Sequence, residues 1–272
     1  MARLLLFFLA LLLALGAAAN EFWLEPTRFV LAPGSPVHLG RWVGQNFRGQ
    51  RWSGQSQRLE ELLHLAPGSS RLDLTAPARA ADSLRTTVVL AQPGTHLLAL
   101  RTNEALLSFS GSEFTAYLQA ENLGDILYLR RRRNQTDRPA REAYRRCAKT
   151  LLLAGPAAPS DTTFRQRLGH PLEIVAEQNP YLLRPGASLT LRVWADGQPA
   201  AYQALRAFIR PLDGSPVQTF QLRTNPNGRA LLRLQQPATV LVAAVRMRAH
   251  PAPATADWQS TWASLTFAFT GR

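Results

Sequence analysis

Cysteine is almost missing: Cys147 is the only one in 272 residues. No intramolecular disulfide can form, so burial and hydrogen bonding alone must hold the fold. A lone cysteine of this kind reads as a small buried hydrophobe. Lysine is nearly missing too. Of 31 basic residues only Lys149 is lysine, and the arginines are spread over the whole chain. The formal charge of +13 therefore reads as a preference for arginine over lysine, and with no aromatic interleaving or zinc spacing it gives no nucleic-acid partner. The one cluster, Arg130 to Arg133 continued by Arg138, Arg141, Arg145 and Arg146, is expected to be a solvated loop and helix face.

Catalytic signatures are absent. There is no Gly-x-Ser-x-Gly elbow and no His-Glu-x-x-His, and Ser108-Phe-Ser-Gly-Ser112 has its glycine in the wrong place for an elbow. Glycine-rich phosphate loops are missing as well, so no enzymatic activity is expected. The histidines, His38, His64, His96, His170 and His250, show no ligand spacing. Trp194, Trp258 and Trp262 read as packing residues, with an aromatic binding face as the alternative. Long apolar runs are limited to one, Leu4 to Leu15, preceded by Arg3 and followed by Ala17-Ala-Ala19. That is a signal peptide over residues 1–19, since a membrane span needs about 20 apolar residues. The mature chain then begins at Asn20, has no membrane anchor, and is periplasmic or extracellular.

What the sequence has in quantity is turn chemistry between short alternating runs. Phe29 to Trp42 echoes Tyr181 to Trp194 without a gap, aligning Pro33-Gly34 with Pro185-Gly186. Gln92-Pro-Gly-Thr-His-Leu-Leu-Ala99 likewise echoes Gln236-Pro-Ala-Thr-Val-Leu-Val-Ala243. Two landmarks repeated in order mean an internal duplication. The expected fold is all-β: two immunoglobulin-like β-sandwich domains in tandem, with short helical segments in the first. Residues 20–154 form the N-terminal domain, 155–164 a Pro-rich linker, and 165–272 the C-terminal domain. A helix is predicted from about Ser112, as its cap, to Asn122. Arg51 to Leu65 has helix-like leucine spacing, and Arg141 to Thr150 reads as a helix or the approach to a strand. Asn227-Gly228 is the strongest hairpin signal.

Glu21-Phe-Trp-Leu-Glu-Pro26 after the leader resembles the start of an exported bacterial family classed as a domain of unknown function. Val43 to Phe47, Phe114 to Leu118, Glu142 to Tyr144, Ala148-Lys149, Leu168 to Glu173, Asn179 to Tyr181 and Trp258 to Phe267 extend the resemblance over nearly the whole mature chain. Some members are described as periplasmic accessory components of nickel or cobalt uptake transporters. The resemblance thus implies a non-catalytic exported binding protein, with a membrane metal transporter or another envelope protein as partner. Relatives often begin this motif with His, and here Asn20 stands in that place. An Asn amide is a weaker ligand for nickel or cobalt than imidazole. The candidate metal ligands are Asn20, Glu21, His170 and His250. The alternative is a cell-envelope interaction module that binds protein or glycan.

Overall fold

The computed structural model describes residues 21–52, 56–80 and 85–271. The expected leader and Asn20 lie outside them. The structure is mostly β, with 51% of the described residues in strands against 15% in helix. Its first half runs β1 (Glu21–Pro26), β2 (Val30–Leu31), β3 (Pro36–Gln45), β4 (Arg48–Arg51), β5 (Leu59–Leu65) and β6 (Arg71–Asp73). Then come α1 (Thr75–Ala80), β7 (Arg85–Val89), β8 (Gly94–Thr102), β9 (Ala105–Phe109), α2 (Gly111–Ala120), α3 (Gly124–Arg132) and β10 (Ala140–Ala154). The second half holds β11 (Leu172–Ala176), β12 (Ser188–Ala195), β13 (Gln198–Pro199), β14 (Ala204–Pro211), β15 (Gln218–Arg223), β16 (Arg229–Arg233), β17 (Ala238–Ala249) and β18 (Trp258–Phe269).

Strand order repeats between the halves. In the first, β3 pairs with β1, β4 and β7, while β5 joins β6 to β8. In the second, β12 pairs with β11, β13 and β16, while β14 joins β15 to β17. The echoed turns occupy the same place. The Gly34 N–H donates to the Leu90 carbonyl and the Gly186 N–H to the Leu234 carbonyl, each at 2.7 Å. Both glycines have positive φ, +81° and +84°, which costs them little and a side chain more. The repeat extends to Gly155, set against Pro33 and Pro93, and Gly271, set against Pro185 and Pro237.

The halves share a sheet. β10 and β18 pair in parallel from Glu142 opposite Trp258 to Thr150 opposite Thr266, making one ten-stranded sheet. The offset between paired residues is the offset between Gly155 and Gly271, so equivalent residues stand side by side. Parallel pairing of equivalents implies a pseudo-two-fold axis along the strands, and that operation inverts the face of the sheet. The two small sheets accordingly cover opposite faces. Ala148, Leu152 and Ala154 of β10 pack with Phe22, Leu24 and Leu39, whereas Leu151 and Leu153 pack with Leu189, Leu191 and Phe267. Burial on both faces explains why β17 is mostly apolar and why β18 is buried along its whole length. The 155–164 segment is tied down: the Asp161 carboxylate accepts from the backbone N–H groups of Thr95 and Thr163.

Several local expectations change. The helix is capped by Ser110, which forms a capping box with Glu113, rather than by Ser112. Leu59 to Leu65 is a strand, because its leucines serve cores on both faces of the central sheet. Arg141 to Thr150 belongs to strand β10. Asn227-Gly228 does not close a hairpin: β15 pairs with β14 and β16 with β12, so this turn carries the chain between sheets. Here Asn225 Oδ1 accepts from the Asn227 and Arg229 N–H groups, and Gly228 leaves no room for a Cβ, which would stand 2.7 Å from the Val193 carbonyl oxygen. Cys147 is buried as expected, and burial pushes its thiol up to about 12.

Candidate functional site

β1 is the seam between the halves. Its period of two sends Phe22 and Leu24 into the first core and leaves Glu21, Trp23 and Glu25 facing β14. β14 answers at the same period. Arg206 Nη2 lies 3.0 Å from Glu21 Oε1 and also binds Glu121, and Arg210 pairs with Glu25. Between the pairs Trp23 packs with Phe47, Phe208, Leu241 and Ala243. Glu21 is 1% exposed, and Oε2 has no partner among the described residues. Burial pushes its carboxyl up to about 7, with Arg206 opposing and Glu121 adding to the rise.

Where the seam reaches the surface it opens into a cleft of about 730 Å³, between the β3–β4 hairpin and the β14–β15 turn. Beneath its surface lie the Trp23 and Phe47 rings, each 1% exposed. Trp23 and Trp42 stack at 6.5 Å, and Phe47 sets its edge on Trp23 at 5.5 Å. Trp42 is half-buried, with Arg51 over its ring at 5.4 Å, and Arg210 lies 4.3 Å over Phe47. Gly49 lets the hairpin pack closely against this cluster, because a Cβ there would stand 2.9 Å from Trp23 Cη2 and 2.3 Å from the Val43 carbonyl oxygen. Phe47 has φ +59° beside Asn46 at +53°. A bulky residue rarely adopts that region, and such strain gathers at ligand-binding places.

A second buried group sits under α2. Glu142 is 1% exposed, and its Oε1 accepts hydrogen bonds from the Tyr117 hydroxyl at 3.0 Å and from the Ser260 hydroxyl. Oε2 has no partner among the described residues. Burial pushes this carboxyl up to about 7, against the pull of the two hydroxyls.

A family defined as a domain of unknown function, DUF4198, matches residues 17–248. The chain belongs to that family. No curated protein matches it. Among solved structures, a two-domain fibronectin type-III segment from chicken tenascin is 11% identical, with TM-score 0.23 over 83% of this chain and 90% of that one. The D0–D1 domain of intimin is 11% identical, with TM-score 0.20 over 90% of this chain and 96% of that one. Trypsin-activated alpha-2-macroglobulin from Escherichia coli is 13% identical, with TM-score 0.24 over 94% of this chain and 16% of that one. Overlaps this loose say nothing about arrangement or ligand.

The segments that carry the family resemblance converge inside the protein. Phe114, Tyr117, Trp258 and Trp262 form one aromatic cluster around Glu142 and Ser260. On the other face, Lys149 Nζ lies 2.9 Å from Glu173 Oε1 and donates to the Gln166 carbonyl. The Leu168 and Gly169 N–H groups complete the Glu173 shell. Burial works to raise that carboxyl, and Lys149 with the backbone donors outweighs it, leaving it below the usual range. Asn179 donates to the Thr95 hydroxyl, and the Tyr181 hydroxyl donates to the Leu151 carbonyl. These motif residues are interior polar ties between the halves.

Among the described residues, each expected metal ligand has another partner. Asn20 is outside the described residues, and Glu21 is engaged by Arg206. His170 Nε2 lies 3.1 Å from Glu61 Oε1, a contact that holds Glu61 below its ordinary value. His250 bonds Ala252 through Nδ1 and has Glu104 3.6 Å from Nε2. Among the described residues no three His, Cys, Asp or Glu side chains gather as a metal-binding group. The structure instead pairs His64 with His96, which sequence spacing did not signal. The Gln92 carbonyl can only accept from His96 Nε2, so His96 Nδ1 accepts in turn from His64 Nε2 at 2.9 Å. Burial pushes His64 down to about 4 and lowers His96 as well. Of the tryptophans, Trp258 and Trp262 are core, and Trp194 carries Arg167 and Arg192 on its ring.

Proposed function

We propose that this is a non-catalytic binding module of the cell envelope whose ligand, protein or glycan, docks in the cleft at the end of the seam. The observation that carries this reading is the cleft itself, where the half-buried Trp42 ring lies with Arg48 and Arg210 over the buried Trp23 and Phe47 rings. A flat ring such as Trp42 beside guanidinium groups supplies contact area and hydrogen-bond donors without chemistry. The cleft lining holds no histidine or cysteine, and its one carboxylate, Glu25, is shared between Arg210 and Trp23. The same reading takes the chain as exported to the periplasm or cell exterior, supported by the apolar run at residues 4–15. It takes each half as one immunoglobulin-like sandwich, supported by the repeated strand order. Arrays of envelope glycans and peptides, probed with the wild type and with Trp42→Ala, test it. A ligand bound by the wild type should be weakened at least about tenfold, the scale of one lost aromatic contact. Equal binding by both proteins would refute the cleft.

A second reading, an accessory role in nickel or cobalt uptake, is confined to the amino terminus. It is favoured by the buried Glu21 Oε2, which has no partner among the described residues and follows Asn20 in the sequence. Calorimetry on protein with a verified Asn20 terminus should show weak nickel binding that tightens in Asn20→His, because imidazole suits nickel. Tight native binding that survives Asn20→Ala would place the ligands elsewhere, with His170 and His250 the first to test. No binding in either form would remove the metal reading.

A further inference from the structure

Residues 124–139 carry five arginines against two aspartates, and the structure divides those arginines by role. Ile126 and Arg130, one helical turn apart, face inward and fix α3 to the body. The Arg130 guanidinium is 3% exposed, donates to the Thr136 and Arg138 carbonyls at 3.2 and 2.7 Å, and lies 4.9 Å over the Phe114 ring. Arg130 thus departs from the expectation of a wholly solvated run. Arg131, Arg132 and Arg133 do face solvent, and among the described residues they form no ion pair.

Two large apolar side chains share that outer surface. Tyr128 is 58% and Leu129 37% exposed. Tyr128, Arg131 and Arg132 stand at i, i+3 and i+4 on one side of the helix, with the Arg132 guanidinium 5.9 Å over the Tyr128 ring. A convex ridge of this kind has no groove for a peptide, but it suits a flat anionic plane that accepts both charge and apolar tips. Such helices lie in the interface without crossing it. Consistent with that, no helix of the described residues is long and apolar enough to span a membrane.

We propose that the outer face of α3, built from Tyr128, Leu129, Arg131, Arg132 and Arg133, docks the protein on an anionic lipid bilayer. Charge complementarity supplies the attraction, and the tyrosine and leucine enter the headgroup region. Each arginine near such a surface is worth about a fivefold change in partitioning, so three together give roughly a hundredfold.

Flotation of the chain beginning at Asn20 with mixed phosphatidylglycerol–phosphatidylcholine vesicles, and with pure phosphatidylcholine vesicles, tests the proposal. The wild type should bind the mixed vesicles at low salt, ignore the neutral ones, and be released by molar salt, which shrinks the Debye length to about 3 Å. The triple variant R131Q/R132Q/R133Q should lose roughly a hundredfold in partitioning, and Y128S/L129S should weaken binding with the arginines intact. Both variants change exposed side chains, and a thermal melt confirms that they fold. Failure of the wild type to float with anionic vesicles would overturn the assignment, as would equal flotation of the triple variant. Flotation unaffected by Y128S/L129S, with equal affinity for a DNA duplex, would reduce the surface to a general polyanion patch and also overturn it.

Discussion

Replacing Glu142 with Gln removes one charge from the interior and keeps the shape. Glu142 is 1% exposed, has two hydroxyl donors on Oε1, and has no cation among its hydrogen-bond partners. Its carboxyl titrates near 7 in the folded protein, against 4.5 as the ordinary value. A raised carboxyl pKa means that the folded state holds the proton more tightly than the unfolded chain. Its contribution is therefore fully present below pH 4.5 and is lost as pH rises through 7. At 1.36 kcal/mol per pKa unit, ionising Glu142 costs the fold about 3 kcal/mol at pH 8 and below about 1 kcal/mol at pH 5. Glutamine keeps an acceptor for Tyr117 and Ser260 and has no charge to bury. E142Q should accordingly be more stable than wild type by about 2–3 kcal/mol at pH 8, with most of that advantage gone at pH 5. Urea unfolding of both proteins at the two pH values measures it, and every other titrating group cancels in the difference. An advantage of the same size at both pH values, or none at pH 8, would refute the assignment of an uncompensated buried carboxylate.

The wild type alone should gain stability as pH falls from 8 to about 6.5, because Glu21 and Glu142 both titrate near 7. Below that the gain should flatten, since the lowered pKa values of His64 and His96 make their contribution present above 6.5 and lost as pH falls through those lowered values, about 4 for His64. A melting temperature that drops steadily from pH 8 to 6.5 would contradict this. Arg130→Gln should cost about 1–3 kcal/mol, because it removes a buried guanidinium that donates to two backbone carbonyls and covers the Phe114 ring, while Arg131→Gln, Arg132→Gln and Arg133→Gln should each stay within about 0.5 kcal/mol. Chemical denaturation separates the two groups, and equal effects would deny the inward role of Arg130. Lys149→Met should cost about 3–5 kcal/mol by leaving Glu173 buried without its cation, and adding Glu173→Gln should recover at least half of that. A double variant no better than the single one would mean that packing around Lys149, and not charge, dominates.

Turns and alternation were legible because they are fixed within a few residues. Pro33-Gly34 and Pro185-Gly186 specify their own dihedrals, and the period of two in Ser188 to Ala195 fixes which side chains turn inward. The duplication was legible for the same reason, since each copy repeats its local rules. Where local rules allow two answers, the wider structure chose. Ser110 and Ser112 can both cap, and only Ser110 has Glu113 three residues on to close the box. Asn227-Gly228 has the residues of a hairpin, but its flanking strands found their partners in different sheets. The parallel joining of β10 to β18 left no mark in either segment, because it depends on apolar surface presented by strands more than a hundred residues apart. The same holds for Glu21 on Arg206, His64 on His96, and the inward turn of Arg130. A charged or polar side chain carries no sequence signal of its partner, and only the packed structure decides which of them lose water and which group compensates the loss.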